Sequence, residues 1–590
     1  MIKCMNSYDN MELLNYLKQQ TIISEEEYQQ VLDYLNSPIS DGEYIQAQFI
    51  LNVPGANLNR EHEIFKIKNM YIIFKELNSE LFEFEKEVHP GPDKTYDVNK
   101  MLPFTGWAHY HGIVSCREME NLWKHNIEAV NYVLNCTKPS KSTIGDFLLV
   151  YKDLVSSFDE FIKKFAINLG LIEGKNIYWD GTFIKAYCNN HKKMYPAQIL
   201  YLDSFIKKHF DNYLNGEGTI WEMMRNYYYG DHNCPEELSE ILNQLESVLN
   251  PHAMEFLKYT IFTDKRTKKA LKRLKKMKEN IDGENSVSIV DPESRHMEDK
   301  KGKMGLNYNF QVGMDSKYGF IIDNYVTQNP NDKNELLTIV ERLNNILGTD
   351  DYVLVADHGF WKIKHIEEIY GTNVMIVIPD RGAASRQKTI NRLKNKISVE
   401  PEEINENTFE KYNFIYLPEE DAYLCPFGML LTRHDKYNKP NRKTKLYACD
   451  HCDECPYKKL CAKDNDRREF RESINEAEEE AKFFFYSDFG QEAYSHRGHF
   501  GEVSFAIIFE SRNFRGVKNR GIIRVNDEMI RVSLTHNLKK IDKHMSNYVL
   551  KKMIKEIRRL KETQDVSMDI LKEWKDKLIY CGDKIVDIVF

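Results

Sequence analysis

No stretch of the 590 residues approaches the roughly 18 uninterrupted apolar residues that a membrane-spanning helix needs, so no helical membrane span is expected. The opening residues, Met1 to Ser7, lack the apolar core of a secretory leader. Cysteine is scarce and odd in number, eleven in all, which argues against an extracellular disulfide scaffold. There is no Walker-type phosphate loop and no Gly-x-Ser-x-Gly elbow, so neither ATP use nor a serine-hydrolase centre is expected. A hydrophobic share of 42% suffices for packed cores and excludes a mainly disordered chain. At about 150 residues per domain, the length allows three or four domains. The expectation is a soluble, cytoplasmic, multidomain protein with no membrane partner.

Charge is segregated. Lys and Arg number 82 against 90 Asp and Glu, a net of −8 that by itself disfavours a polyanion-binding protein. Binding responds to the local field, however. Residues 265–278, KRTKKALKRLKKMK, hold nine cations in fourteen positions. If this run is helical, Lys268, Lys272 and Lys276 share one side and can follow a DNA backbone by touching its phosphates. The competing reading is a solvated helical face. Residues 402–410 and 476–480 are acidic.

Helical period dominates the N-terminal part. Ser24 to Glu27 form a capping box ahead of Tyr28, Val31, Leu32 and Leu35 on one face. His89-Pro90-Gly91-Pro92 marks a boundary. Helical spacing returns with Met119, Leu122 and Trp123, then Phe147, Leu148, Tyr151 and Leu154. After Gly174 the pattern changes. Asn176 to Trp179 predicts a strand that stops at a turn, Asp180-Gly181. A helical insertion follows, and then come a hairpin (Asn307–Met314 and Tyr318–Tyr325), a helix over 333–347, a strand ending at Asp357, a helix near 361–370 and a strand over Val374–Ile378. That order predicts an α/β fold with a mixed sheet and helical appendages.

Two carboxylates therefore stand at strand ends, Asp180 and Asp357, where open α/β sheets gather reactive groups. Each has a structural explanation, since Asp-Gly is a good turn and an aspartate can cap the next helix. Together they suit a hard divalent cation shared with substrate phosphates. Glu502, in the stretch Tyr494 to Phe505 with Arg497, is the best third acid.

These segments resemble the insertion-sequence transposases of bacteria that carry an Asp-Asp-Glu triad on a ribonuclease H-like core. Asp180-Gly181-Thr182 with Ala186 and Asn189 resembles the first-acid motif. Asp291 to Arg295, Asn307 to Gln311 and Asp315 resemble the approach to the hairpin. Val355 to Phe360 resembles the second-acid motif; Tyr494, Arg497 and Glu502 resemble the third, and Thr535 to Lys540 its downstream helix. Ser115, Arg117, Glu118, Ser142 and Phe147 resemble the preceding helical domain. The resemblance covers about residues 90–545. It implies that Asp180, Asp357 and Glu502 hold two Mg²⁺ or Mn²⁺ ions, and that Tyr494 and Arg497 contact DNA phosphate. It further implies cleavage at transposon ends followed by joining of the 3′-hydroxyl ends to target DNA. The implied partners are double-stranded DNA with terminal inverted repeats, target DNA and a second copy of the chain in a homodimer on DNA, in the nucleoid. The implied division is an N-terminal helical region (1–90), a helical DNA-binding domain (91–170), a catalytic core (171–200, 285–400 and 480–545), a basic helical insertion (201–284), a Cys-rich insertion (401–479) and a helical tail (546–590).

One position departs from the pattern. The family commonly has a lysine two helical turns after the third acid, and here that place holds Phe509, which cannot bind phosphate as an ammonium does. Arg512 beside it is the candidate substitute. The alternative function is a catalytically silent or domesticated DNA-binding relative.

Five of the eleven cysteines fall within 425–461. Cys-x2-Cys spacings in an intracellular chain suit metal, and four thiolates suit tetrahedral Zn²⁺. The resemblance selects Cys425, Cys452, Cys455 and Cys461, leaving Cys449 as a spare. An iron–sulfur cluster on the Cys-x2-Cys-x2-Cys run and metal-free thiols are the alternatives. His109, His111, His496 and His499 read as loop or surface residues.

Overall fold

The computed structural model describes residues 29, 58–86, 97–125, 127–135, 137–214, 219–298, 302–380, 404, 406–417, 420–434, 444–473, 475–501, 505, 508, 514 and 516–590. The capping box at Ser24, the boundary at His89 to Pro92, Glu502, Phe509 and Arg512 lie outside them.

The N-terminal helices include α1 (Glu63–Leu77), α2 (Val98–Tyr110), α3 (Cys116–Lys124) and α4 (Lys152–Asn168). Side chains that satisfy orphan amides start two of them: His62 accepts from Ile64 N–H, and Asp97 from Asn99 N–H. Ile64, Ile67, Met70, Tyr71 and Phe74 of α1 recur at helical spacing and are buried. They belong to one apolar cluster with Phe158, Ile162 and Phe165 of α4 and with one face of the sheet.

The main sheet is built on β1 (Asn176–Lys185). A separate pair, β2 (Lys193–Met194) and β3 (Val287–Ser288), closes the base of a helical excursion that ends in α5 (Asp264–Glu279). The sheet continues with β4 (Arg295–Glu298), β5 (Met304–Asp315) and β6 (Ile321–Thr327). After α6 (Leu336–Leu347) come β7 (Tyr352–Val355), α7 (Ile363–Ile369) and β8 (Val374–Val377). β5 pairs antiparallel with β1, while β4 and β6 share its other edge. β1, β7 and β8 run parallel. Four strands in antiparallel pairings (β4 and β6 on β5, β5 on β1) and two more parallel to β1 make a six-stranded mixed α/β, ribonuclease H-like sheet.

Side chains alternate across β1. Ile177 and Trp179 face the cluster of the N-terminal helices, whereas Tyr178 faces a second cluster with Val355 and Val377. Burying a side chain the size of Trp179 contributes about 1.5–3 kcal/mol. Gly313 of β5 leaves the room this indole occupies, for a Cβ there would overlap the Trp179 ring.

The predicted turn at Asp180-Gly181 is corrected: β1 runs on to Lys185. Asp180 pairs with Val312 and Gly181 with Gln311, so the antiparallel partner carries the strand past its glycine. Pairing with β7 ends earlier, at Tyr178 and Val355.

Residues 415–473 form a five-stranded antiparallel sheet: β9 (Ile415–Leu417), β10 (Ala422–Leu424), β11 (Leu430–Arg433), β12 (Thr444–Ala448) and β13 (Glu469–Ser473), each paired with the next. The chain then returns through α8 (Asp488–Ser495) to α9 (Ile522–His544) and α10 (Asn547–Lys561). After the tail helix, β14 (Leu578–Cys581) and β15 (Lys584–Ile588) pair antiparallel, an element not foreseen in the sequence. α9 is buried along most of its length. Its Asn537 bonds both the N–H and the C=O of Ile321, at 2.8 and 2.9 Å, and His536 meets the Gly319 carbonyl at 2.8 Å. These contacts give the Thr535–Lys540 segment a structural task, fixing the β5–β6 turn.

Candidate active site

Asp180 and Asp357 stand level with each other. Tyr178 and Val355 are partners on adjacent parallel strands, and each acid lies two residues further on. By alternation Asp180 shares the face of Tyr178. Asp180 is 4% exposed, and one of its carboxylate oxygens accepts from Gly181 N–H at 2.9 Å. Asp357 is half-buried and caps the turn His358–Phe360, accepting from Gly359 N–H at 2.7 Å.

The segment 488–501 covers this corner. Phe500 stacks on Tyr178 with ring centres 4.6 Å apart, and Tyr494 and Ala493 join the cluster of Val355 and Val377. Arg497 Nη1 lies 3.5 Å from Asp180 Oδ2, with the guanidinium over the Tyr494 ring at 5.9 Å. Burial presses the Arg497 pKa down, but Asp180, Tyr494 and Asp357 outweigh it and the pKa is raised. Burial raises the Tyr494 pKa despite the neighbouring cation. A Cβ on Gly501 would stand 3.0 Å from Asp180 Oδ2, so the chain reaches the first acid immediately before position 502. The structure thus brings together Asp180, Asp357, Tyr494 and Arg497.

One acid was missed by sequence reasoning. Asp332 lies in the connection between β6 and α6, and its Oδ1 accepts from Asn309 Nδ2 at 2.8 Å and Gln311 Nε2 at 2.5 Å. Gln311 in turn accepts from Trp179 Nε1 at 2.9 Å. A Cβ on Gly181 would lie 2.5 Å from Asp332 Oδ1, and one on Gly359 3.5 Å from its Oδ2. Asp332 is therefore wedged between the residues that follow each acid. Burial raises its pKa, and Asp357 adds to that after the amide bonds have lowered it. Asn331-Asp332 reads as an ordinary surface turn; the available signal was the amide pair Asn309 and Gln311 on one face of a buried strand, which needs a polar partner.

Asp291 has a structural role: both its oxygens accept from the Tyr308 hydroxyl at 3.0 Å, and one accepts from Gly521 N–H at 3.0 Å. The predicted cations Lys268, Lys272 and Lys276 are exposed on α5, in the excursion between β2 and β3 and outside the sheet that carries the acid pair. Lys276 is paired with Glu293 at 3.3 Å. Glu502 and Arg512 are not among the described residues.

The cysteine module has its thiols close together but no assembled metal centre. Cys425, Cys449, Cys452 and Cys461 are buried in one cluster, and all are free thiols, as is Cys455. Among the described residues no three His, Cys, Asp or Glu side chains form a group that could hold a metal ion, so the zinc expectation gains no support from ready-made ligand geometry. What fits thiolate ligands is the backbone around them. Cys425 Sγ accepts from Phe427 and Met429 N–H at 3.3 Å, and Cys452 Sγ from Arg468 N–H at 3.4 Å. Burial, reinforced by the neighbouring thiols, pushes Cys461 up to about 12. The cluster sits on an antiparallel sheet whose strands are joined by backbone bonds.

Residues 424–542 match a family model described as "Transposase DDE domain". The match spans the cysteine cluster, Tyr494, Arg497 and most of α9, and supports a DDE-type transposase. No curated protein and no solved structure matches the chain. Among the described residues no helix is long and apolar enough to cross a membrane.

Proposed function

We propose that this chain, of DDE transposase type by the match over residues 424–542, cuts DNA at transposon ends and joins the freed 3′-hydroxyls to target DNA. The observation that carries the reading is the level pair Asp180 and Asp357 beside Arg497. Two carboxylates level on neighbouring strands fit Mg²⁺ or Mn²⁺ with phosphate oxygens completing the shell. Asp180, Asp357 and Glu502 would hold the ions. When bound, such ions activate the attacking oxygen and stabilise the leaving one.

The chain's own groups do the positioning. Arg497, fixed by Asp180 and by the Tyr494 ring, directs its remaining N–H groups at a phosphate, where a guanidinium fork is well matched. Asp332, with Asn309 and Gln311, keeps Gly181 and Gly359 in place and so holds the acids in register. Lys268 and Lys272, with Lys276 if it leaves Glu293, follow the flanking backbone, and Arg512 supplies the cation that Phe509 lacks. Zn²⁺ held by Cys425, Cys452, Cys455 and Cys461 would brace the module over residues 401–479. The division into helical DNA-binding domain, interrupted core and two insertions, a homodimer that brings two ends together, and residence in the nucleoid complete the proposal.

The test is incubation of the full chain with the DNA that flanks its own gene, in Mg²⁺ or Mn²⁺. Strand cuts at the boundary of an inverted repeat support the reading. Tight binding without cutting in either metal contradicts it and favours the silent relative.

A further inference from the structure

A cavity of about 460 Å³ lies between the α2–α3 connection and α9, lined by His109, Glu118, Lys518 and Arg531 among others. Arg531 is its unusual feature. The side chain is half-buried, and burial lowers its pKa. Nevertheless no carboxylate lies within ion-pairing distance of its guanidinium and no group hydrogen-bonds to it, among the described residues. The nearest acids are committed elsewhere or act only through space. Glu528 accepts from Lys518 N–H at 2.9 and 3.0 Å, from Asn519 N–H at 3.0 Å and from Asn519 Nδ2 at 2.7 Å. Asp527 feels Arg531 as a neighbouring charge without touching it.

Arg531 is half-buried and feels Glu528 and Asp527 only as neighbouring charges. Its guanidinium therefore has no contacting acceptor among the described residues, and a polar cavity beside it can hold one. The other lining groups agree. Lys518 is exposed at the cavity and adds a second positive charge, its N–H alone being used by Glu528. His109 is buried and its pKa is pushed down to about 3 by burial and by Arg531, so the imidazole is neutral and adds no competing charge. The one carboxylate on the lining, Glu118, is exposed and absent from the charges that act on Arg531. Gly516 and Lys518 also line a neighbouring cleft of about 780 Å³ with Lys185 and Arg520, so the cavity adjoins further cations.

We infer that this cavity is an anion site for a phosphate group, gripped by the guanidinium fork of Arg531 and by Lys518, with His109 forming its wall. The phosphate is either a free ion or a phosphodiester of a bound nucleic acid backbone. The site is separate from the acid pair and does not depend on cleavage.

The experiment measures thermal unfolding of the full chain against inorganic phosphate, with chloride at matched ionic strength as control. Phosphate should stabilise the wild type beyond chloride, and Arg531→Gln should raise the half-maximal phosphate concentration about tenfold or more, as expected for loss of a charge-assisted pair. Lys518→Gln should raise it by a smaller factor, and serves as the readout if the Arg531 variant does not fold. A random-sequence duplex then separates the sources. If phosphate displaces the duplex from wild type but not from either variant, the ligand is backbone; if duplex and phosphate bind independently, it is the free ion. Equal phosphate responses in wild type and variants, or none beyond chloride in wild type, overturn the inference.

Discussion

Asp332 Oδ1 occupies the space a side chain on Gly181 would need, 2.5 Å from the place of its Cβ, directly after Asp180 in the strand. That approach ties the loop after β6 to the strand of the first acid, while the other oxygen of Asp332 faces Gly359 beyond the second acid. The geometry of the acid pair is thus maintained by a residue outside the pair.

Gly181→Ala should therefore displace Asp332 and Gln311 and destabilise the protein by about 1–3 kcal/mol, the usual cost of overpacking. Urea denaturation measures this. Combining it with Asp332→Ala, which empties the space, should recover part of the loss; a double variant no better than the sum of the singles would contradict the arrangement.

The basic helix α5 offers a second measurement. Replacing Lys268 and Lys272 by Glu should weaken duplex binding and flatten the plot of log K against log salt by roughly 2, since each phosphate that a cation neutralises adds about 0.9 to the slope. An unaltered slope would remove α5 from the DNA path.

His109 predicts a pH dependence. Its folded pKa, pushed down to about 3, lies below the ordinary value of 6.5, so the unfolded chain binds the extra proton. Its contribution to stability is complete above about pH 6.5 and falls as pH drops toward 3, by at most about 1.4 kcal/mol per unit. Urea midpoints at pH 7 and pH 5 should differ more for wild type than for His109→Gln. Identical differences would show that the imidazole titrates normally.

For the cysteine module, purified protein should contain about one Zn²⁺ per chain, and a chelator should lower its melting temperature. Metal analysis with an absorption spectrum decides: absorption near 400 nm would indicate iron–sulfur instead, and no metal would leave a thiol-only core.

Much of this site is legible in the sequence. Asp357 follows an apolar strand that ends where a glycine begins a new turn, and local pattern is enough to see that. The aspartate at 180 is visible too, but local rules misplace it. Asp-Gly favours a turn, whereas here nine residue pairs with β5 hold the strand extended through it. The Asp332 wedge depends on amides of the neighbouring strand β5, and the sheet at 415–473 on pairings between strands of only three to five residues; neither leaves a period in the chain. Arg531 sits in a helical run whose cations look solvated until α2 and α3 are folded over it.

The most direct test of the central claim is single-turnover cleavage of a DNA substrate carrying one transposon end, with Mg²⁺, by wild type, Asp180→Asn and Asp357→Asn. Wild type should cut at the end, and each variant should bind the substrate normally while cutting more than about 100-fold slower, a larger loss than removal of a group that only supports a ligand. Wild-type rates in either variant would contradict it.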